Sequence, residues 1–157
     1  MLEAGVEAPD FDLADDSGTR VRLSDQRGRW VVLWWYPEAK SEGCTIQGRG
    51  FQKTYEQFAA DGVVVLGASF NDADKNRDFS ECEAMQFPLL SDPDGTAGRA
   101  YDVVRKPDER FADKPRRVTY LIDPEGRIAK SYLVTDVAGH ASQVLADRRE
   151  LAAATGR

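Results

Sequence analysis

Residues 30–60 read WVVLWWYPEAKSEGCTIQGRGFQKTYEQFAA, and the pattern of the chain changes halfway through them. Residues 30–36 are continuously apolar and rich in β-branched and aromatic side chains, the composition of a central strand buried on both faces. From Cys44 to about Ala60 the period becomes helical: Cys44, Gly48, Phe51, Tyr55 and Phe58 recur at spacings of four and three, which is one stripe of a helix. The segment PEAKSEG between them leads from the end of a strand to the mouth of a helix. In α/β folds that crevice commonly holds the ligand.

The flanks extend the same alternation. FDL and TRVRL read as short strands joined by the turn DDSG, and DGVVVLGASF as a second buried strand. NDADKNRDFSECEAM reads as a helix capped by Asn71 or Asp72. FPLLSD is a short strand, and DPDGTAGRAYDV a turn leading into a short helix. RRVTYLID, PEG and RIAKSYLV form a hairpin, and a last helix over about Ala138–Ala153 buries Val144, Leu145 and Leu151. The pattern predicts an α/β fold with a mixed central β-sheet flanked by helices, as a single domain over residues 1–157. Alternation by itself leaves a thioredoxin-like fold and a small doubly wound one both open.

Composition narrows the function. A net charge of −6 argues against nucleic-acid binding, and the basic stretch RKPDERFADKPRR is interspersed with acids, as a solvated loop is. The longest apolar run, WVVLWWY, is too short to span a membrane. The first residues carry acids and no apolar core of a secretory signal, so a cytoplasmic setting with reduced thiols is expected. Two cysteines and one histidine give no zinc-type spacing. No zinc site is expected.

Cys44 therefore draws attention. In the first turn of a helix, backbone N–H groups lack intrahelical partners and the macrodipole is positive, and both favour a thiolate. A free thiol is only a few per cent thiolate near neutrality, and making the anion the main form takes roughly 2.7 kcal/mol. A helix terminus usually supplies ~0.3–1 kcal/mol. A cation is needed as well, and arginine suits because it stays charged when partly buried. Ser41 offers a hydroxyl just before the helix, Pro37 fixes the backbone where the strand ends, and Gly48 leaves room beside the thiol. Each has a plain structural reading too: a buried small cysteine, a turn serine, a strand-stopping proline.

Taken together, Pro37, Ser41 and Cys44 match P-x-x-x-[T/S]-x-x-C, the site motif of peroxiredoxins. YPEAKSEGCTIQ resembles the bacterioferritin-comigratory-protein/PrxQ branch, whose members read much like YP-x-A-x-T-P-G-C-T-x-Q. APDFDLADDSG, LSDQRGRWVVLWWYP, FPLLSD, RVTYLIDPEGRI and HASQVL resemble family segments in the same order. The resemblance implies a thioredoxin-like fold and reduction of hydrogen peroxide or organic hydroperoxides. It implies a sulfenic acid on Cys44, reduced by thioredoxin or a similar thiol donor, with no metal or bound organic cofactor, in a protein acting as a monomer.

By the same resemblance Cys44 is the peroxidatic cysteine, Ser41 the hydroxyl that bonds thiolate and peroxide, Pro37 the shield of the pocket and Arg117 the active-site cation. Arg116 is then the solvated neighbour. Two positions depart from the branch. Arg49 stands where many members carry a resolving cysteine, and Glu42 replaces a proline. Cys82, in the helix after the second buried strand, is the candidate resolving cysteine, although relatives place theirs at the position of Ser80. Falling three residues after Phe79, Cys82 is expected on the inward face, so a core role and an externally resolved one-cysteine cycle stay open beside the disulfide. A non-catalytic redox sensor and a disulfide oxidoreductase are the rival readings. The second is weakened by Gln47, which occupies the place of a second cysteine. His140 is expected to cap or pack, and Trp34, Trp35 and Tyr36 to form core and pocket wall.

Overall fold

A computed structural model describes residues 1–156. Its centre is a five-stranded sheet ordered β5-β4-β3-β6-β7, with β3 Val31–Trp35, β4 Val64–Ser69, β5 Leu89–Ser91, β6 Val118–Ile122 and β7 Ile128–Leu133. β3, β4 and β5 run parallel, while β6 lies antiparallel to both β3 and β7, so the sheet is mixed. The expected hairpin is the β6–β7 pair. FDL and TRVRL contribute β1 Asp12–Ala14 and β2 Arg20–Arg22, an antiparallel pair outside the central sheet.

The apolar run of β3 is explained by its two partners. Val31, Leu33 and Trp35 face a core that includes Phe11, Tyr101 and Tyr120, whereas Val32, Trp34 and Tyr36 face one that includes Cys44, Phe51 and Phe58. All five strand residues are buried, because the alternation of side chains sends every second one into a different dry layer.

Helix α1, Glu42–Ala60, covers the second layer and buries Cys44, Gly48, Phe51 and Phe58 along the expected stripe, with Gln47 and Thr54 beside them. Tyr55 is half-buried. α4, His140–Thr155, packs beside α1 and starts two residues later than the pattern predicts. It buries Val144 and Leu145, while Leu151 is half-buried. α3 spans Thr96–Ala100.

α2, Ala73–Cys82, is capped by Asp72, whose carboxylate accepts from Lys75 N at 2.9 Å. The inward placement expected for Cys82 is wrong: its side chain is exposed. The buried positions of α2 are Asn76, Phe79 and Ser80, a stripe whose next member is residue 83. Cys82 falls instead on the face of Lys75 and Asp78, both exposed.

No helix among the described residues is long and apolar enough to cross a membrane.

Candidate active site at the mouth of helix α1

β3 ends at Trp35, Pro37 follows Tyr36 out of the sheet, and the chain turns through Lys40, whose φ of 68° is left-handed. Ser41 is the N-cap of α1, with extended backbone and no side-chain cap bond. Its N–H and its Oγ both donate to the Glu38 carbonyl, at 3.2 and 2.8 Å. The Ser41 hydroxyl proton is therefore used within the loop rather than directed at the thiol.

Cys44 is fully buried, in the first turn of α1. Arg117, immediately before β6, places Nη1 3.4 Å from Cys44 Sγ and donates from the same nitrogen to Gln47 Oε1 at 2.9 Å. The cation that the thiolate argument requires is thus against the sulfur. Arg116 instead pairs with Glu109.

Two further residues make this contact. A Cβ at Gly43 would lie 2.8 Å from Arg117 Nη2, so the glycine directly before Cys44 admits the guanidinium. Gln47 is fully buried three residues after Cys44, on the same helical face; its Oε1 holds Arg117 and its Nε2 has no partner. In the sequence Gln47 counts as the last matched position of the branch motif and as the residue in place of a second cysteine, with no role of its own. Its spacing of three from Cys44 was the available signal.

Other expectations divide. The space beside Gly48 is occupied: a Cβ there would lie 2.4 Å from the Met85 methyl, so this glycine admits Met85, Trp34 and Phe79 rather than enlarging the pocket. Glu42 is exposed, where solvent screens its charge. Arg49 grips Glu83 with two hydrogen bonds of 2.8 and 3.0 Å, tying α1 to the end of α2. Trp34, Trp35 and Tyr36 are core.

His140 opens α4 and packs, as expected. Its ring meets Phe51 and Tyr132 edge-on, and its Nε2 shares a 2.8 Å hydrogen bond with Thr119 Oγ1. Burial, reinforced by Arg117 and opposed by Asp136 and Asp147, pushes its pKa down to about 4, so it is neutral near pH 7.

Cys82 Sγ lies 3.9 Å from Asp78 Oδ1, and Asp78 pairs with Lys40 of the site loop at 2.8 Å. Among the described residues no group of three or more His, Cys, Asp or Glu side chains could hold a metal ion.

The family model of AhpC/TSA matches residues 4–131. Peroxiredoxin Bcp of Bacillus subtilis is 33% identical over 152 residues, covering 96% of this chain and 97% of its own. Peroxiredoxin Bcp of Escherichia coli is 34% identical over 146 residues, covering 92% and 94%. A structure of the Xanthomonas campestris bacterioferritin comigratory protein, described with alkyl peroxide reduction activity, superposes with a TM-score of 0.87 at 31% identity over 96% of this chain and 99% of that one. A cysteine-to-serine mutant of Xylella fastidiosa PrxQ superposes with a TM-score of 0.90 at 28% identity, over 97% and 98%.

Proposed function

Because this chain belongs to the AhpC/TSA family, in its Bcp/PrxQ branch and with its thioredoxin-like fold, we infer that it reduces hydrogen peroxide and organic hydroperoxides through Cys44. It is a thiol-dependent peroxidase, an oxidoreductase. The assignment to Cys44 is carried by one observation: a buried thiol in a helix's first turn, with Arg117 Nη1 3.4 Å from its sulfur.

The thiolate attacks one peroxide oxygen, and an S–O bond forms as the O–O bond breaks. Sulfur loses two electrons and becomes a sulfenic acid; the leaving oxygen takes them, gains a proton and departs as water or an alcohol. Arg117 serves twice, holding the thiolate before attack and stabilising charge on the leaving oxygen during it. Its planar fork, anchored on Gln47 Oε1, has further N–H donors to aim at the peroxide. With its own proton on the Glu38 carbonyl, Ser41 Oγ offers lone pairs to a peroxide O–H. Pro37 lines a cleft together with Glu38, Asn71 and Lys114 and shields the loop on that side.

Cys82 is the proposed resolving thiol. It condenses with the Cys44 sulfenic acid to a disulfide and releases water, after local unwinding of the first turn of α1 and the last turn of α2. Its exposure supports this, and so does the contact between those two regions through Lys40–Asp78 and Arg49–Glu83. Thioredoxin or a similar thiol then reduces the disulfide. The protein acts as a monomer and one domain, in the cytoplasm, where thiols are kept reduced.

Turnover of hydrogen peroxide and cumene hydroperoxide with a thioredoxin system tests the reading: wild type consumes both and Cys44→Ser neither. Equal turnover by the two proteins overturns it. Peptide mapping without reductant after one equivalent of peroxide tests resolution. A linked Cys44–Cys82 peptide supports the disulfide, and a Cys44 sulfenic acid with Cys82 still alkylatable establishes the one-cysteine cycle instead.

A further inference from the structure

The site is made of two chain segments far apart in sequence, the loop 37–44 and the segment that ends in Arg117, and Glu38 touches both sides of their junction. Its carboxylate accepts from Lys114 Nζ, three residues before Arg117, and from Asn71 Nδ2 at 2.6 Å. Its carbonyl accepts the Ser41 hydroxyl, and Asn71 Oδ1 accepts from the next amide, Ala39 N, at 2.8 Å. Lys114 is fixed in turn, because Arg105 donates to the carbonyls of Lys114 and Pro115 at 3.2 and 3.3 Å. Glu38 and Lys114 are only 33% and 24% exposed.

We propose that the Glu38–Lys114 pair is a clasp that positions the Cys44 loop against the arginine segment, and that its opening sets how fast oxidised Cys44 becomes reachable. The proposal rests on Cys44 being the peroxide-reacting thiol. Cys44 is 0% exposed, so no second thiol reaches its sulfur until the loop leaves Arg117. Moving the loop out carries Glu38 from Lys114 and Asn71, since Glu38 lies within it. Burial would raise the Glu38 carboxyl's pKa, but the hydrogen bonds from Lys114 and Asn71 outweigh this and hold it below the usual range, as in a carboxylate kept charged by its partners.

Closed and open arrangements have opposite fates. In the closed one, a second peroxide adds an oxygen to the sulfenic acid, giving a sulfinic acid and water or alcohol; in the open one, a thiol displaces the hydroxyl as water and forms a disulfide. A weaker clasp shifts the population toward the second.

The test uses the full chain with dithiothreitol as the external thiol. Peptide-resolved alkylation of Cys44 by a bulky maleimide reads opening, and the peroxide concentration that leaves half of Cys44 as sulfinic acid reads the competition. Glu38→Gln and Lys114→Met should each raise both readouts about tenfold, the effect of losing one charge-assisted bond. The double variant should add little to either single change, while Lys114→Arg stays near wild type. Both readouts within twofold of wild type in the single variants would overturn the clasp. So would a parallel fall in the urea midpoint large enough to explain the alkylation by global unfolding. Wild-type Cys44 that forms no sulfenic acid at all would overturn the underlying assignment instead.

Discussion

The two cysteines occupy opposite kinds of place. Cys44 sits in a dry layer between β3 and α1, with an arginine fork and a buried glutamine fixed around its sulfur. Cys82 sits at the exposed end of α2, with a long contact to a carboxylate. A buried thiol beside a fixed cation is organised for one small substrate. An exposed thiol at a helix end is organised for movement, because the last turn of a helix opens at low cost. The difference is one of surroundings, not residue type.

The largest difference between the two thiols should come from Arg117. Arg117→Ala should slow Cys44 oxidation by about 10²–10³-fold, the usual effect of removing a preorganised donor to developing negative charge. Arg117→Lys should recover little, since a point charge cannot hold sulfur, Gln47 and peroxide together. Arg116→Ala should stay near wild type. Stopped-flow tryptophan fluorescence at varied peroxide measures all three.

The packed interior beneath Cys44 has its own pH response. The His140 pKa is depressed to about 4 in the folded state, against an ordinary value near 6.5. Between those values the unfolded chain binds a proton that the native chain does not. Stability contributed by neutral burial is therefore present above about pH 6.5 and lost as pH falls toward 4, by up to about 3 kcal/mol. Native carboxylates such as Asp61, held low chiefly by Arg149 despite some burial, lose stability in the same direction at lower pH. Urea unfolding of wild type and His140→Gln at pH 7 and pH 4.5 isolates the histidine, and the variant should lose less stability on acidification.

Gln47→Ala should lower the peroxide rate by about tenfold, one charge-assisted hydrogen bond's worth of arginine orientation. Gln47→Glu should retain more of the rate because it keeps the acceptor. At the other thiol, Cys82→Ser should leave the first oxidation step within about twofold and stability within about 0.5 kcal/mol, as for an exposed side chain. The same stopped-flow assay and urea titration read both variants.

Which features were legible in the sequence follows the same physics. The β3–loop–α1 unit was readable because its pattern is apolar, with a continuous run for a strand buried twice and a 3.6-residue stripe for a helix buried once. The position of Arg117 came from the resemblance, since nothing in RRVTYLID alone says which arginine turns inward. The phase of α2 was misread because its buried face is largely polar. Asn76 is buried by hydrogen bonds with Tyr36, Leu90 and Ser91, and Ser80 lies beside it, so counting apolar residues left Phe79 as the lone reference. Gly43 and Gln47 are plain in the sequence, but their roles depend on a guanidinium arriving from just before β6, seventy or more positions away.

The proposed selection of the reacting thiol by its surroundings, not its exposure, has a direct test. Wild-type protein, reduced and exposed to one equivalent of hydrogen peroxide in the presence of a sulfenic-acid-trapping dione, is digested and both cysteine peptides are quantified. The dione adduct should form on buried Cys44, or a Cys44–Cys82 link in its place, with no adduct on Cys82; Arg117→Ala should lose the Cys44 adduct. An adduct on exposed Cys82 with Cys44 left as an unreacted thiol would contradict it.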